Sequence, residues 1–269
     1  MQAKNKTIVV TGGGSGIGRE LVLQLLERGA KIAAVDINEA ALKETVKLAG
    51  DGGKNISVHV ANLADKAAVE GLLLQITQKH QHVDAVINNA GIIQPFVKVN
   101  DLDYDAIERV MQVNFWGLLY MTKTFLPHLL ERPEAHIVNV SSMGGFLPVP
   151  GQSIYGASKA AVKLLTEGLY AELADTSVDV TVVFPGAIAT NISKNSGVMK
   201  EDEQETEDAS SDFKPLPADE AARIIIDAME KSKFRVCVGK DSRSMDKMYR
   251  MGPKFATKLI TKKMKSLLS

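Results

Sequence analysis

The sequence predicts a doubly wound α/β fold, a seven-stranded parallel sheet with helices on both faces. Three observations point to it. Short β-branched apolar runs alternate with longer amphipathic stretches between residues 7 and 238, and that order implies parallel strands joined by crossover helices. The runs are continuously apolar, as strands buried on both faces must be. A glycine-rich turn also separates the first run from the first amphipathic stretch, where a parallel sheet offers the free N–H groups of a helix terminus.

Taken in order, the first strand is 7–11, TIVVT. Thr11-Gly12-Gly13-Gly14-Ser15-Gly16-Ile17-Gly18 follows and opens a helix over 16–29. Glycine permits the tight turn and the close approach of a pyrophosphate, which the helix N-terminus attracts. The second strand, 31–36, ends in Asp36, about 20 residues past the glycines, where a dinucleotide site wants an acid for the ribose diol. That carboxylate would repel a 2′-phosphate. Ser15, Ile17, Ile37 and Asn38 bring no cation, and Arg19 is expected to point along its helix. NAD is therefore preferred over NADP. Asp36 could also cap the helix at 39–48. Strands at 57–61, 85–88, 136–140, 179–184 and 235–238 and helices at 66–80, 104–130, 153–173 and 218–231 complete the pattern. Only 191–217 breaks it, being polar, acidic and punctuated by proline; just after the sixth strand, it is expected to be a substrate loop or lid. Residues 1–240 read as one domain, and 241–269 as a basic amphipathic helical extension.

Composition excludes several classes. The 269 residues, 45% hydrophobic and 24% charged, allow one large core. Thirty-two basic and 32 acidic side chains cancel, so no nucleic-acid partner is expected. The balance hides an asymmetry, with seven acids and no base in 201–212, and nine Lys or Arg against Asp241 and Asp246 in 240–269. One cysteine, Cys237, permits no intrachain disulfide and no cysteine metal cluster, and no metal site is predicted. Without a run of about 18 apolar residues or a signal-peptide block, the expected location is the cytoplasm.

The chemistry is expected at Tyr155-Gly156-Ala157-Ser158-Lys159, which puts Tyr155 and Lys159 four apart on one helix face. A free tyrosine, with a pKa of about 10, is a poor base at neutral pH, and an adjacent ammonium lowers it. The pair is thus a plausible general acid/base. Ser142 ends the fifth strand 13 residues earlier and could donate to a substrate oxygen.

Thr11–Gly18, Asp36, Asn88-Asn89-Ala90-Gly91, Asn114, Ser142, Tyr155, Lys159 and Pro185-Gly186 with Thr190 together resemble the short-chain dehydrogenase/reductase family, in its compact single-domain branch. The resemblance implies a Rossmann-type fold and an oxidoreductase acting on a CH–OH group. Tyr155 would exchange a proton with the substrate oxygen. Lys159 would hold the nicotinamide ribose and depress the Tyr155 pKa. Ser142 would polarise the substrate oxygen, and Asn114 would hold a water linking Lys159 to solvent. The cofactor would be held by Gly12, Ser15, Gly16, Ile17, Gly18 and Asp36, by Asn62 and Leu63 at adenine, by Asn88, Ala90 and Gly91, by Tyr155 and Lys159, and by Pro185, Gly186, Ile188 and Thr190 near the carboxamide. Asn62 stands where the family usually has an acid. By position, Gln94, Phe96, Met143, Phe146 and Gln152 would form a moderately hydrophobic substrate wall. Family members are dimers or tetramers, and Ala157, Ala160, Ala161 and Leu165 could line the interface; the tail favours a dimer. The tail helix from Pro253, with Phe255, Ala256, Leu259, Ile260, Met264, Leu267 and Leu268 on one stripe among lysines, is expected to pack on protein rather than on an anionic membrane. The contrasting reading is a catalytically silent NAD(P)-binding sensor or scaffold, which usually loses Tyr, Lys or Ser.

Overall fold

The computed structural model describes residues 1–198 and 214–264. Seven parallel strands form the sheet: β1 (Thr7–Thr11), β2 (Lys31–Asp36), β3 (Ile56–Val60), β4 (Ala85–Asn88), β5 (Ala135–Val140), β6 (Val178–Pro185) and, after a short pair, β9 (Arg235–Val238). Their order is β3-β2-β1-β4-β5-β6-β9. The chain reverses its direction of travel across the sheet between β1 and β4, so a crevice opens beyond their carboxyl ends. This is the expected Rossmann-like arrangement.

Period-two alternation divides the core. Ile8, Val10, Ile32 and Ala34 face α1 (Gly16–Glu27) and α8 (Ala218–Glu230), meeting Leu21, Leu25, Ile225 and Met229. Val9, Ala33, Val35 and Val86 face the other way, with Leu72 and Ile76 of α3 (Lys66–His80) and Met121, Phe125 and Leu129 of α5 (Leu118–Leu130). At about 1.5–3 kcal/mol per fully buried large aliphatic or aromatic side chain, these two layers hold the sheet between its helices.

One buried polar group stands out at the amino end of β5. His136 is fully buried; its Nε2 lies 2.8 Å from Thr181 Oγ1, while Nδ1 has no hydrogen-bond partner. Thr181 uses its proton on the Lys233 carbonyl, so His136 Nε2 is the donor and Nδ1 the bare nitrogen. Burial lowers the His136 pKa to about 4, although Asp179 at 3.9 Å opposes the shift.

Three departures from the sequence reading affect the site. The single helix expected over 104–130 is α4 (Tyr104–Met111), a π-helical turn at Gln112–Gly117, and α5. Asn114 sits in that wide turn, a feature enriched at functional positions. Second, Asn191 follows β7 (Ile188–Ala189), which pairs with β8 (Leu216–Pro217), so the expected lid is tied at both ends. It starts with a short α7 (Ile192–Asn195); residues 199–213, including the acidic run, lie outside the described residues. Third, the extension starts earlier than its apolar stripe suggests. α9 (Lys240–Met251) and α10 (Pro253–Lys263) form a hairpin after Gly239, whose φ of 102° lies in the left-handed region glycine favours. Between α5 and α9, α6 (Ser153–Glu172) carries the Tyr155–Lys159 face. Ala256 and Ile260 of α10 are buried with Leu147 and Met245. This takes the centre of the tail stripe into the chain's own domain, while Leu267 and Leu268 lie outside the described residues. No helix among the described residues is long and apolar enough to cross a membrane.

Candidate active site

The glycine turn between β1 and α1 is stereochemically forced. A Cβ on Gly18 would run into the Gly12 carbonyl, and Gly12 and Gly16 adopt φ of 70° and 50°. Asp36 closes the cradle from β2, its Oδ2 accepting from Gly14 N at 3.0 Å and its Oδ1 from Asn38 N at 3.0 Å. Asp36 does not cap the following α2 (Glu39–Leu48); Asn38 does, accepting from Ala41 N. Arg19 does not lie along its helix. Its guanidinium folds back onto the Gly14 carbonyl, at 2.7 and 3.0 Å, and onto Thr45 Oγ1. The nearby cation thus braces the loop. Ser15 Oγ accepts from Asn195 Nδ2 of α7 at 2.9 Å, and Thr190 lies against Gly16, so the segment after β6 bends over the cradle. Ile17 and Ile188 pack partly into the core.

Thr11, which no motif argument singled out individually, ties the two sides of the crevice. Its hydroxyl accepts from Asn89 N and Ala90 N at 3.0 and 3.1 Å. Asn88 donates to Asn139 Oδ1 at 2.8 Å, so its side chain braces β4 against β5. Asn62 is exposed, its Oδ1 closing a turn with Ala64 N. Leu63 is buried against Gly117. At the other end, the Pro185–Gly186 turn is held from α9. Ser242 Oγ donates to the Phe184 carbonyl at 2.8 Å, and Asp241 Oδ2 accepts from Ala187 N at 2.7 Å and lies against Gly186.

Ser142, Tyr155, Lys159 and Asn114 come together beyond β5. Ser142 Oγ accepts from Gly144 N at 3.0 Å and borders the Tyr155 ring across Gly144, where a Cβ would stand 3.4 Å from Tyr155 Cε1 and 3.5 Å from Ser142 Oγ. Burial raises the Tyr155 pKa above its ordinary value, and the Ser142 hydroxyl pulls it down. The expected lowering by Lys159 is not found. Lys159 is buried, its ammonium 6.0 Å from the Tyr155 ring centre and donating to the Val140 carbonyl at 3.0 Å. Burial lowers the Lys159 pKa to about 8. Gly91 leaves room beside it, since a Cβ there would stand 3.0 Å from Nζ and 3.2 Å from Asn114 Oδ1. Asn114 is committed on both atoms: Oδ1 accepts from Ile92 N at 2.8 Å, and Nδ2 donates to Ile92 O and Ser158 Oγ at 2.9 and 3.1 Å.

The five residues expected at the substrate wall have different surroundings. Phe146 packs edge-on against Phe184, 5.4 Å between ring centres, with Arg235 over both rings, so it belongs to the layer under α9. Met143 is partly buried in the cluster of Leu147 and α10. Gln94 and Gln152 are buried and bonded to each other's segments, Gln152 through its Nε2 while its Oε1 has no partner. Phe96 remains partly exposed.

A short chain dehydrogenase family model matches residues 6–201. The protein named "Putative oxidoreductase SadH" of Mycobacterium tuberculosis is 38% identical over 252 residues, 92% of this chain and 91% of that one. The rat protein named dehydrogenase/reductase SDR family member 7B is 35% identical over 236 residues, 86% of this chain and 72% of its own. A crystal structure of a short chain dehydrogenase/reductase from Burkholderia phymatum in complex with NAD superposes with a TM-score of 0.85 at 26% identity, covering 95% of this chain and 96% of that one. Another, from Burkholderia cenocepacia in complex with NADP, superposes at 0.80 and 26% identity, covering 97% and 99%.

Proposed function

Because the chain belongs to the short-chain dehydrogenase/reductase family, we propose that it moves a hydride between NAD(H) and a secondary alcohol or ketone, with Tyr155 transferring the proton. The observation that carries this reading is the convergence of the Ser142 hydroxyl and the Tyr155 ring on Gly144 beyond β5, with the Lys159 ammonium 6.0 Å from the centre of that ring.

The residues fit a nicotinamide dinucleotide. A Cβ at Gly14 would fill the cradle, 2.9 Å from Asp36 Oδ2 and 2.8 Å from Ala41. Gly12, Ser15, Gly16, Ile17 and Gly18 would hold the pyrophosphate, Asp36 the adenosine ribose, Asn62 and Leu63 the adenine. Ala90 and Gly91 would line the crevice, Lys159 and Tyr155 would hold the second ribose, and Pro185, Gly186, Ile188 and Thr190 the carboxamide end. Asp36 and the engagement of Arg19 with Gly14 favour NAD over NADP. When bound, the nicotinamide supplies or accepts the hydride.

The chain supplies the proton chemistry. Ser142 donates a hydrogen bond to the substrate oxygen and orients it. Tyr155 gives its proton to a carbonyl oxygen in reduction and takes one from a hydroxyl in oxidation. With its pKa raised, the phenol is protonated at neutral pH, which is the form that reduces ketones. Lys159, at about 8, keeps a largely positive charge beside that exchange at neutral pH. Asn114 locks the Gly91–Ile92 segment against Ser158 and so fixes the floor under Lys159.

The substrate is a moderately hydrophobic alcohol or ketone, with the partly exposed Phe96 and Met143 apolar candidates for its wall. Exposed Leu164 and Trp116 join Ala157 on the outer helices, which supports a homo-oligomer. The test is NADH production from a panel of secondary alcohols and its consumption with the matching ketones. Tyr155→Phe is expected to cut turnover by about 10²–10⁴-fold while NADH still binds. Retained turnover would remove Tyr155 from its role.

A further inference from the structure

We propose that Gln94, in the loop after β4, is a positioning residue for Tyr155 because it caps the helix that carries the phenol. The proposal rests on the oxidoreductase reading above and adds a determinant of its rate.

Tyr155 is the third residue of α6. The first N–H groups of any helix have no partner within it, and an uncapped first turn frays. A side chain on that turn has a fixed position only if something satisfies those groups. The chain preceding Tyr155 does not do so. Gln152 occupies the cap position, and its side chain makes no capping bond. Its carboxamide instead donates to the Gln94 carbonyl at 2.7 Å.

The cap comes from 61 residues away. Gln94 is fully buried. Its Oε1 accepts from Ile154 N at 2.9 Å and from Tyr155 N at 3.0 Å, the N–H groups at the second and third helical positions that an ordinary cap satisfies. Its Nε2 donates to the Gly151 carbonyl at 2.9 Å, fixing the turn that leads into the helix. One carboxamide thus makes three bonds to the start of α6, and its own backbone is held by a fourth from Gln152. The acceptor also sits at the positive end of the helix dipole, which favours it. The Gln94 hydrogen bond to Tyr155 is to its backbone N–H, so it acts by placement and not by proton transfer.

The experiment uses Gln94→Met, which fills the buried space and lacks the carboxamide acceptor, and Gln94→Glu, which keeps an acceptor oxygen for Ile154 N and Tyr155 N and loses the donor to Gly151 O. In the full-length protein, Gln94→Met is expected to lower kcat by about tenfold or more, the order for loss of a helix cap, with the NADH Kd unchanged within about twofold. Gln94→Glu is expected to recover a substantial part of that kcat. A Gln94→Met variant with wild-type kcat would overturn the proposal. So would one whose KM for the alcohol rises at constant kcat, since that marks a substrate contact. Amide hydrogen exchange on the unaltered protein supplies a readout that needs neither a variant nor turnover. Slow exchange at Ile154 and Tyr155 is expected, and exchange as fast as at an exposed loop would refute the cap. If the unaltered protein shows no turnover on any alcohol or ketone, the oxidoreductase reading fails, and the exchange result still decides the cap.

Discussion

His136 makes stability depend on acid in a way that can be worked from the structure. In the folded chain its proton sits on Nε2 toward Thr181, and Nδ1 is enclosed without a donor. Protonating Nδ1 would place a charge in a buried site where Asp179, 3.9 Å away, and Glu134 offset its desolvation only in part. The folded pKa is about 4 against an ordinary 6.5. A histidine depressed in this way is neutral when folded, so between pH 6.5 and 4 the unfolded chain binds more protons. Stability is therefore fully present above about 6.5, falls as pH drops toward 4, and gains no further loss from this group below that. At 1.36 kcal/mol per unit, the difference of 2.5 units amounts to about 3 kcal/mol. The assay is urea unfolding from pH 7.5 to 4.5, comparing the protein with His136→Gln, whose carboxamide can still reach Thr181 and does not titrate. The difference in unfolding free energy between the two should change by roughly 2–3 kcal/mol over that range. His59 and His80, also lowered chiefly by burial, cancel in the comparison. Parallel stability curves for the two proteins would refute the reasoning.

Two further outcomes concern the crevice. Asp36→Ala should reduce discrimination against NADP by about tenfold or more, since it removes a repulsive charge near the 2′ position; kcat/KM with both cofactors measures it, and an unchanged ratio defeats the charge argument. Lys159→Met should abolish turnover and yet stabilise the unliganded fold at pH 7 by up to about 3 kcal/mol, because burial lowers the Lys159 pKa from 10.5 to about 8. The sign is specific: the cost of the charge is fully present below pH 8 and disappears as pH rises toward 10.5, so the two proteins should converge at alkaline pH. A gap that stays constant with pH would count against it.

The sheet and the glycine cradle were legible because their causes are local. Continuous β-branched runs can be buried only on both faces, and Gly18 cannot carry a Cβ beneath the Gly12 carbonyl. The Tyr155–Lys159 face follows equally from helical spacing. What escaped depends on distance. No periodicity shows that Gln94 caps a helix 61 residues later, or that Arg19 turns back onto Gly14. The π-helical turn was hidden because Gln112–Gly117, QVNFWG, contains no proline to mark a break in the helix. Phe146 was misplaced because an apolar residue next to a site packs as readily beneath it as into it. The Tyr155 pKa is set by burial, which raises it, against the Ser142 hydroxyl, which lowers it, and the Tyr155–Lys159 spacing fixes neither.

The grip of α9 on the end of β6 has one more consequence. Ser242 and Asp241 hold Phe184 and Ala187, two residues that flank the Pro185–Gly186 bend, so the carboxyl-terminal hairpin cannot peel away without releasing that bend. Detachment of the last two helices would then cost the protein its ligand before it cost the sheet. Partial unfolding from this end should appear as lost affinity at temperatures where the β-structure is still intact.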